Sequence, residues 1–170
     1  MQVKLETERL LLRPVNLDDT PGFFTLDSDP EVHRYLGNQP VSTIEQSAAM
    51  IQGILDQYER NGIGRLAIIE KKTGNFVGWS GLKYEEAIRD YGYYDLGYRL
   101  IRSFWGQGYA TEAAIASLKW GYEEQGYADI YAAADVDNLA SNRILSKLGT
   151  HQETFQFEGI DCHWYRMNPV

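Results

Sequence analysis

The sequence predicts an α/β protein, a sheet with a helical crossover in its middle. Three observations carry this reading. Three strand-like segments follow one another between residues 64 and 101. A segment of helical spacing at 109–126 then separates them from a further strand-like run at 128–135. Two more alternating segments close the chain around Glu158-Gly159. Strands interleaved with helical patterns indicate an α/β sheet rather than an all-β sandwich.

The first strand is "ERLLLRPV" (8–15), which alternates. "LDDTPGFFTLDSDPEVHRYLG" is interrupted by Pro21, Gly22 and Pro30 and reads as two short helices. A clean helix follows: Ser42 and Glu45 form a capping-box pattern, and Ile44, Ala48, Ile51, Leu55 and Tyr58 recur at helical spacing until Asn61-Gly62. "GRLAIIEK", "FVGWSGLKY" and "YGYYDLGYRLI" are consecutive strands, the first two joined by a turn at "TGN" (73–75). "YATEAAIASLKWGYEEQG" is a helix closed by Gly126, and "ADIYAAAD" is a strand. "NLASNRILSKL" is a short helix with Gly149 as its stop, and "THQETFQFEG" and "IDCHWYRM" form a final hairpin. With the breaker-rich stretch counted as one helical region, the order is β-α-α-β-β-β-α-β-α-β-β.

No repeat or linker invites a cut, so residues 1–170 read as a single domain with room for a substantial core. A 44% hydrophobic and 24% charged composition is that of a soluble globular chain. No apolar run approaches the roughly 18 residues a membrane span requires, and the amino-terminal stretch is not a signal peptide. Cys162 is the single cysteine, which excludes an internal disulfide and suits a reducing, cytoplasmic setting. His33, His151 and His163 lack metal-ligand spacing, so no metal is expected. A net charge of −8 argues against a nucleic-acid partner.

The chemistry-bearing stretch is "RSFWGQGYATEAA" (102–114). Gly106 and Gly108 lack Cβ atoms, so the main chain there can turn tightly and leave amides facing outward. A helix start carries unpaired N–H groups and a partial positive charge, which together suit a pyrophosphate. A plain structural turn explains the glycines equally well at this level. No Walker loop exists, and the dinucleotide pattern fails because "GQGYAT" ends in Thr111 instead of a third glycine. The helix beyond bears a stripe of small residues, Ala110, Ala113, Ala114, Ser117 and Gly121, which allows close approach to the sheet.

"GYRLIRSFWGQGYATEAAIASLKWGYEEQG", followed by "ADVDNLASNRILSKLG", resembles the GNAT superfamily of acetyl-CoA-dependent N-acetyltransferases. The likeness is closest to the branch with the ribosomal-protein N-terminal (alanine/serine) acetyltransferases. "TERLLLRPV", "DPEVHRYLG" and "NFVGWSGL" extend it over nearly the whole chain. The resemblance implies a mixed, partly splayed β-sheet with helices on both faces, and acetyl-CoA as co-substrate with no metal. It implies that Leu100 and Ile101 end the fourth family strand, where the pantetheine arm pairs with main chain. Gly106, Gln107, Gly108, Tyr109, Ala110 and Thr111 would then offer amides to the pyrophosphate. Trp105 stands where the common superfamily loop has Arg or Gln, as is usual in this branch. Asn138 is both a helix N-cap and the match of a family Asn that reaches the pantetheine. Asn142 and Arg143 follow on the same helix toward the cofactor, Arg143 reading equally as a solvated charge.

For the chemistry, alternation places Tyr93, Asp95, Gly97 and Arg99 on one face of a strand. Asp95 resembles an acidic residue, usually Glu, found here in the branch. Its shorter reach calls for a water relay if it serves as catalytic base, and an ion pair with a nearby cation explains it equally. Glu112 fits a helix first turn without any catalytic role. Leu145 stands where many superfamily members carry a tyrosine acid, which leaves solvent, Tyr109 or a hairpin tyrosine to protonate the thiolate. An α-amine, with a pKa of roughly 7.7 to 8.0 against about 10.4 for lysine, is far more often neutral at pH 7. The implied acceptor is therefore a primary amine, a peptide N-terminus or a small molecule, approached past Asp161, His163, Tyr35 and Tyr84. The chain would be a monomer or homodimer. The alternative is a non-catalytic acyl-CoA-binding or regulatory domain of the same fold.

Overall fold

Alternation along one central strand decides what each face of the sheet packs against. The computed structural model describes residues 3–170. In strand β3 (Leu66–Glu70), Leu66 and Ile68 enter one core cluster while Ala67 between them enters another. The first cluster is covered by helices α4 (Tyr109–Lys119) and α5 (Leu139–Leu148), through Ala113, Ala114, Leu118, Leu145 and Leu148. The second is covered by α1 (Thr20–Asp27) and α3 (Ile44–Asn61), through Phe23 and Ile51. Helices thus lie on both faces, as expected.

The remaining elements are β1 (Leu5–Glu6), β2 (Leu10–Pro14), α2 (Pro30–His33), β4 (Phe76–Glu85), β5 (Tyr93–Leu100), β6 (Ile130–Asp135), β7 (Gly149–Phe157) and β8 (Ile160–Met167). The strands form one eight-stranded sheet in the order β1-β2-β3-β4-β5-β6-β8-β7. Every neighbouring pair is antiparallel except β5–β6. The observed order adds the two-residue β1, paired on β2, and the breaker-rich stretch forms α1 and α2, the two short helices read there. Pro21 sits in the first turn of α1 and Pro30 opens α2, positions where a missing N–H costs nothing.

Three local expectations are corrected. The capping box of α3 is Thr43 with Gln46, one residue beyond Ser42 and Glu45, because Thr43 takes the extended conformation an N-cap requires (φ −134°, ψ 154°). The helix expected over 109–126 is regular only to Lys119 and continues as a π turn, Trp120–Glu124. Gly121 in that turn lies against Leu82 and Ile130, whose side chains would come within 2.7 Å of any Cβ there. Gly149 does not end α5 by a left-handed turn; it is extended (φ −153°) and begins β7, with Arg166 O lying 2.7 Å from where a Cβ would be.

Candidate functional site

The site follows from where β5 and β6 part. They pair only at Tyr94↔Ile130 and Asp95↔Tyr131, and beyond those residues the two strands share no register. Ile101 N–H donates to Val77 O on β4 (2.9 Å), so two-residue alternation turns the main-chain groups of Leu96, Tyr98 and Leu100 toward the opening. A cavity of about 410 Å³ fills the gap between Leu96–Arg99 on β5 and Ala133–Asp135 on β6.

One wall of this cavity is charged. Arg65, which precedes β3, lies across β5 exactly where Gly97 leaves space: a Cβ on Gly97 would stand 2.5 Å from Arg65 Nη2. Arg65 Nη1 donates to Asp95 O (2.6 Å) and to Gly81 O, and Nη2 is paired with the Asp95 carboxylate. Burial pushes the Asp95 carboxyl above its ordinary range, against the pull of the Arg65 and Lys83 charges. Further along β5, Arg99 Nη1 pairs with Asp27 of α1, which is fully buried and also meets His33 Nε2 at 3.0 Å. The Arg65 and Arg99 guanidinium carbons lie 5.3 and 5.1 Å from the Trp79 ring centre.

The opposite wall supplies hydroxyls. Tyr98 of β5 and Ser141 of α5 stand with their oxygens 3.0 Å apart, bridging the gap, and burial pushes Tyr98 up to about 12. Asn138 is the N-cap of α5, its side chain accepting from Ser141 N–H (3.2 Å), and it borders the cavity. Asn142 is committed inward. Its Nδ2 donates to Asp135 O and Asn138 O, and its Oδ1 accepts from Tyr165 (3.0 Å).

Past the end of β5 the chain enters the glycine loop. Ile101 has both main-chain groups bonded, N–H to Val77 O and C=O from Phe104 N–H. Leu100 O accepts from the Trp105 indole N–H (2.8 Å), which leaves the Leu100 N–H on the open edge. Gly106 and Gly108 are both left-handed, φ 72° and 82°, and no atom lies within 4 Å of where a Gly106 Cβ would be. Gly108 is the N-cap of α4 without a side-chain cap, and its carbonyl takes the first helical bond from Glu112. The N–H groups of Tyr109, Ala110 and Thr111 consequently have no partner among the described residues. Gln107 O accepts from Arg9 Nη1 (2.8 Å). The loop does not line the cavity; it lies beyond it along β5.

Several side chains singled out in the sequence stand elsewhere. The Tyr109 hydroxyl donates to Glu70 (2.6 Å) with Arg9 stacked on its ring, so it does not face the cavity. Glu112 accepts from Thr7 Oγ1 and from Arg9 Nε and N–H, tying α4 to the turn between β1 and β2. Of the four mouth residues, Tyr35 lines the cavity. Tyr84 borders a second hollow with Tyr91 and Tyr94 at the other end of β5, and His163 bonds to His151 and Thr154. Sequence reasoning missed Arg65, Trp79, Tyr98 and Ser141 as cavity residues and gave Arg99 no role. Gly97 was the available signal, a glycine inside a strand that marks a close approach. Among the described residues no group of three His, Cys, Asp or Glu side chains could hold a metal, and no helix is long and apolar enough to cross a membrane.

Residues 9–151 match the family model described as Acetyltransferase (GNAT) domain. YoaA of Bacillus subtilis (strain 168), described as an uncharacterized N-acetyltransferase, is 34% identical over 157 residues, 92% of this chain and 84% of that protein. The crystal structure of an acetyltransferase from Agrobacterium tumefaciens str. C58 superposes with a TM-score of 0.84 at 25% identity, covering 99% of this chain and 95% of that one. RimL, a ribosomal L7/L12 alpha-N-protein acetyltransferase solved in complex with coenzyme A, shares the fold at TM-score 0.80 and 20% identity, covering 96% and 97%.

Proposed function

Since the chain belongs to the GNAT acetyltransferase family and is an acetyl-CoA-dependent N-acetyltransferase, we propose that its acceptor is a primary amine that attacks the thioester directly in the cavity between β5 and β6. The observation that carries this is the coincidence of an open strand edge, a cavity and an uncapped helix start along one strand, β5. These residues fit acetyl-CoA. Gly106 leaves the loop surface clear, a Cβ on Gly108 would meet only Arg9 Nη2 at 3.4 Å, and the N–H groups of Tyr109, Ala110 and Thr111 are open to a negative group without any lysine. Gln107 belongs to the same loop. The Leu100 N–H and Asn138 are the groups suited to the pantetheine arm, while Ile101 and Asn142 act through the main-chain bonds that fix their neighbours.

Bound acetyl-CoA supplies an acyl group activated as a thioester. The Tyr98 N–H, on the edge of β5 beyond its last pairing with β6, is a donor for the oxygen on which charge develops. The amine nitrogen bonds to the acyl carbon as the carbon–sulfur bond breaks, and the amine loses one proton while the thiolate gains one. Asp95 Oδ2 is held by Arg65, so the carboxylate takes the amine proton through water at its other oxygen. The Ser141–Tyr98 hydroxyl pair relays a proton from solvent to the thiolate, each hydroxyl giving up one proton as it takes another. Tyr98 reaches this role through a hydroxyl relay instead of its own ionisation, given its raised pKa.

Calorimetry and a thiol-release assay test this. Acetyl-CoA is expected to bind with a micromolar Kd, and at least one amine among peptides, amino acids and polyamines to release coenzyme A thiol. Ser141→Ala is expected to keep the Kd and to lose turnover. Absence of acetyl-CoA binding, or binding without turnover on any amine, refutes the catalytic reading.

A further inference from the structure

The two arginines of the charged wall differ in what they leave available. Arg65 commits Nη1 to Gly81 O and Asp95 O, and Nη2 to the Asp95 carboxylate. Arg99 commits only Nη1, to Asp27. Its Nε is buried without a partner, and Nη2 makes no bond to the described residues. Asp27 is anchored in turn by His33, and Trp79 lies against the guanidinium, so both the position and the plane of the group are fixed before any ligand arrives. Arg99 borders the cavity.

An unused Nε–Nη2 side is the geometry that grips a carboxylate by two parallel hydrogen bonds. A buried guanidinium N–H without an acceptor is unfavourable, and a bound carboxylate removes that cost. The chain's overall charge of −8 gives no general attraction for anions, so any selectivity for one must come from this group. The cavity is also polarised, with Arg65 and Arg99 on one side and Asp135 and Glu158 among the residues of the other. That polarity suits a molecule carrying an amine and a carboxylate together.

We propose that the acceptor amine bears a carboxylate and that Arg99 selects it through its Nε–Nη2 edge. This rests on the acetyltransferase reading of the same cavity. Two sources share the chemistry: the carboxylate of a free amino acid, and that of an acidic residue near a peptide N-terminus. Arg99 is a specificity residue in either case, since it touches the acceptor away from the reacting nitrogen.

The test compares matched pairs, alanine against alaninamide and a Glu-containing tripeptide against its Gln counterpart. The carboxylate member of one pair is expected to have a kcat/KM at least tenfold higher, and which pair shows it identifies the source. For alanine this preference runs against amine basicity, because the amide has the less basic nitrogen. In Arg99→Lys, which keeps a positive charge beside Asp27 but lacks the side edge, the ratio is expected to fall to near one. A ratio near one in the wild type, or one that survives in Arg99→Lys, overturns the proposal. Calorimetric titration of alanine and the Glu tripeptide into the coenzyme A complex gives a readout without turnover. Binding of one of them that is lost in Arg99→Lys supports the proposal; no binding, or equal binding to both proteins, overturns it. Failure to bind acetyl-CoA would instead refute the reading of the cofactor site, and the same titrations into the free protein would still decide the role of Arg99.

Discussion

The two ends of the site, both built on β5, are made of different materials. At the glycine loop the surface is main chain: two left-handed glycines and three helix N–H groups without partners. Beside the cavity the surface is side chain: Arg65 with Asp95, and Arg99 with Asp27 and His33, drawn from α1, α2, β5 and the residue before β3. In the proposed function, main-chain amides meet what every acetyl transfer from coenzyme A has in common. Side chains can be exchanged without rebuilding the fold, so recognition of the acceptor is the part placed on them. The same division predicts different failures: damage at the loop costs binding, whereas removing one partner of a buried ion pair in the charged wall costs stability as well.

Asp95→Ala gives the largest expected effect. It strands a buried guanidinium, and breaking a buried ion pair from one side typically costs about 3–5 kcal/mol. Urea unfolding should show a loss of that size. Asp95→Asn, which keeps an acceptor for Arg65, should lose less. An Asp95→Ala protein as stable as the wild type would break the contrast, because the charged wall would then be no more structural than the loop.

Gly108→Val comes next and probes the other end. At φ 82° a β-branched residue is strained, which costs on the order of 1–3 kcal/mol. The larger consequence is functional: the added side chain intrudes on the amide surface. Acetyl-CoA affinity should drop at least about 100-fold, roughly 2.7 kcal/mol, measured by calorimetry on protein whose folding is verified by circular dichroism. If affinity holds, the phosphate cradle lies elsewhere.

The same contrast explains what the sequence made legible. Gly106, Gly108 and the Asn138 cap are local devices, written in residues next to the helices they serve. The succession of elements along the chain, apart from the two-residue β1, and the crossover were likewise readable from local periodicity. The charged wall was not. Arg65 is 30 residues from Asp95, and Asp27 is 72 from Arg99, and no local pattern announces partners at such separations. Gly97 was the trace they left, a strand position emptied so that a guanidinium could cross it. Ser42 and Glu45 misled for a related reason, since Thr43 and Gln46 satisfy the same spacing and only the backbone conformation decides between them.

Glu112 gives the smallest expected effect and sharpens the contrast most finely, because it is a side chain working at the main-chain end. It lies in the first turn of α4, the helix whose start is the proposed cradle, yet its oxygens are taken by Thr7 and Arg9. Burial raises the Glu112 carboxyl, but hydrogen bonds from the Thr7 hydroxyl and from the Arg9 N–H and side chain outweigh it, and the net shift is downward. A carboxyl lowered in the folded state adds stability above its unfolded value, near 4.3 for glutamate, and that stability disappears as pH falls through the folded value. Glu112→Gln should therefore be less stable than wild type at neutral pH, by about 1 kcal/mol given that Arg9 is well exposed. The gap should close as pH falls below the ordinary glutamate range. Turnover on whichever amine the protein accepts should stay within about twofold, as expected of a group that braces a helix start and touches no reacting atom. A large fall in kcat with stability intact would instead move Glu112 into the chemistry. The loop end would then no longer be built from main chain alone.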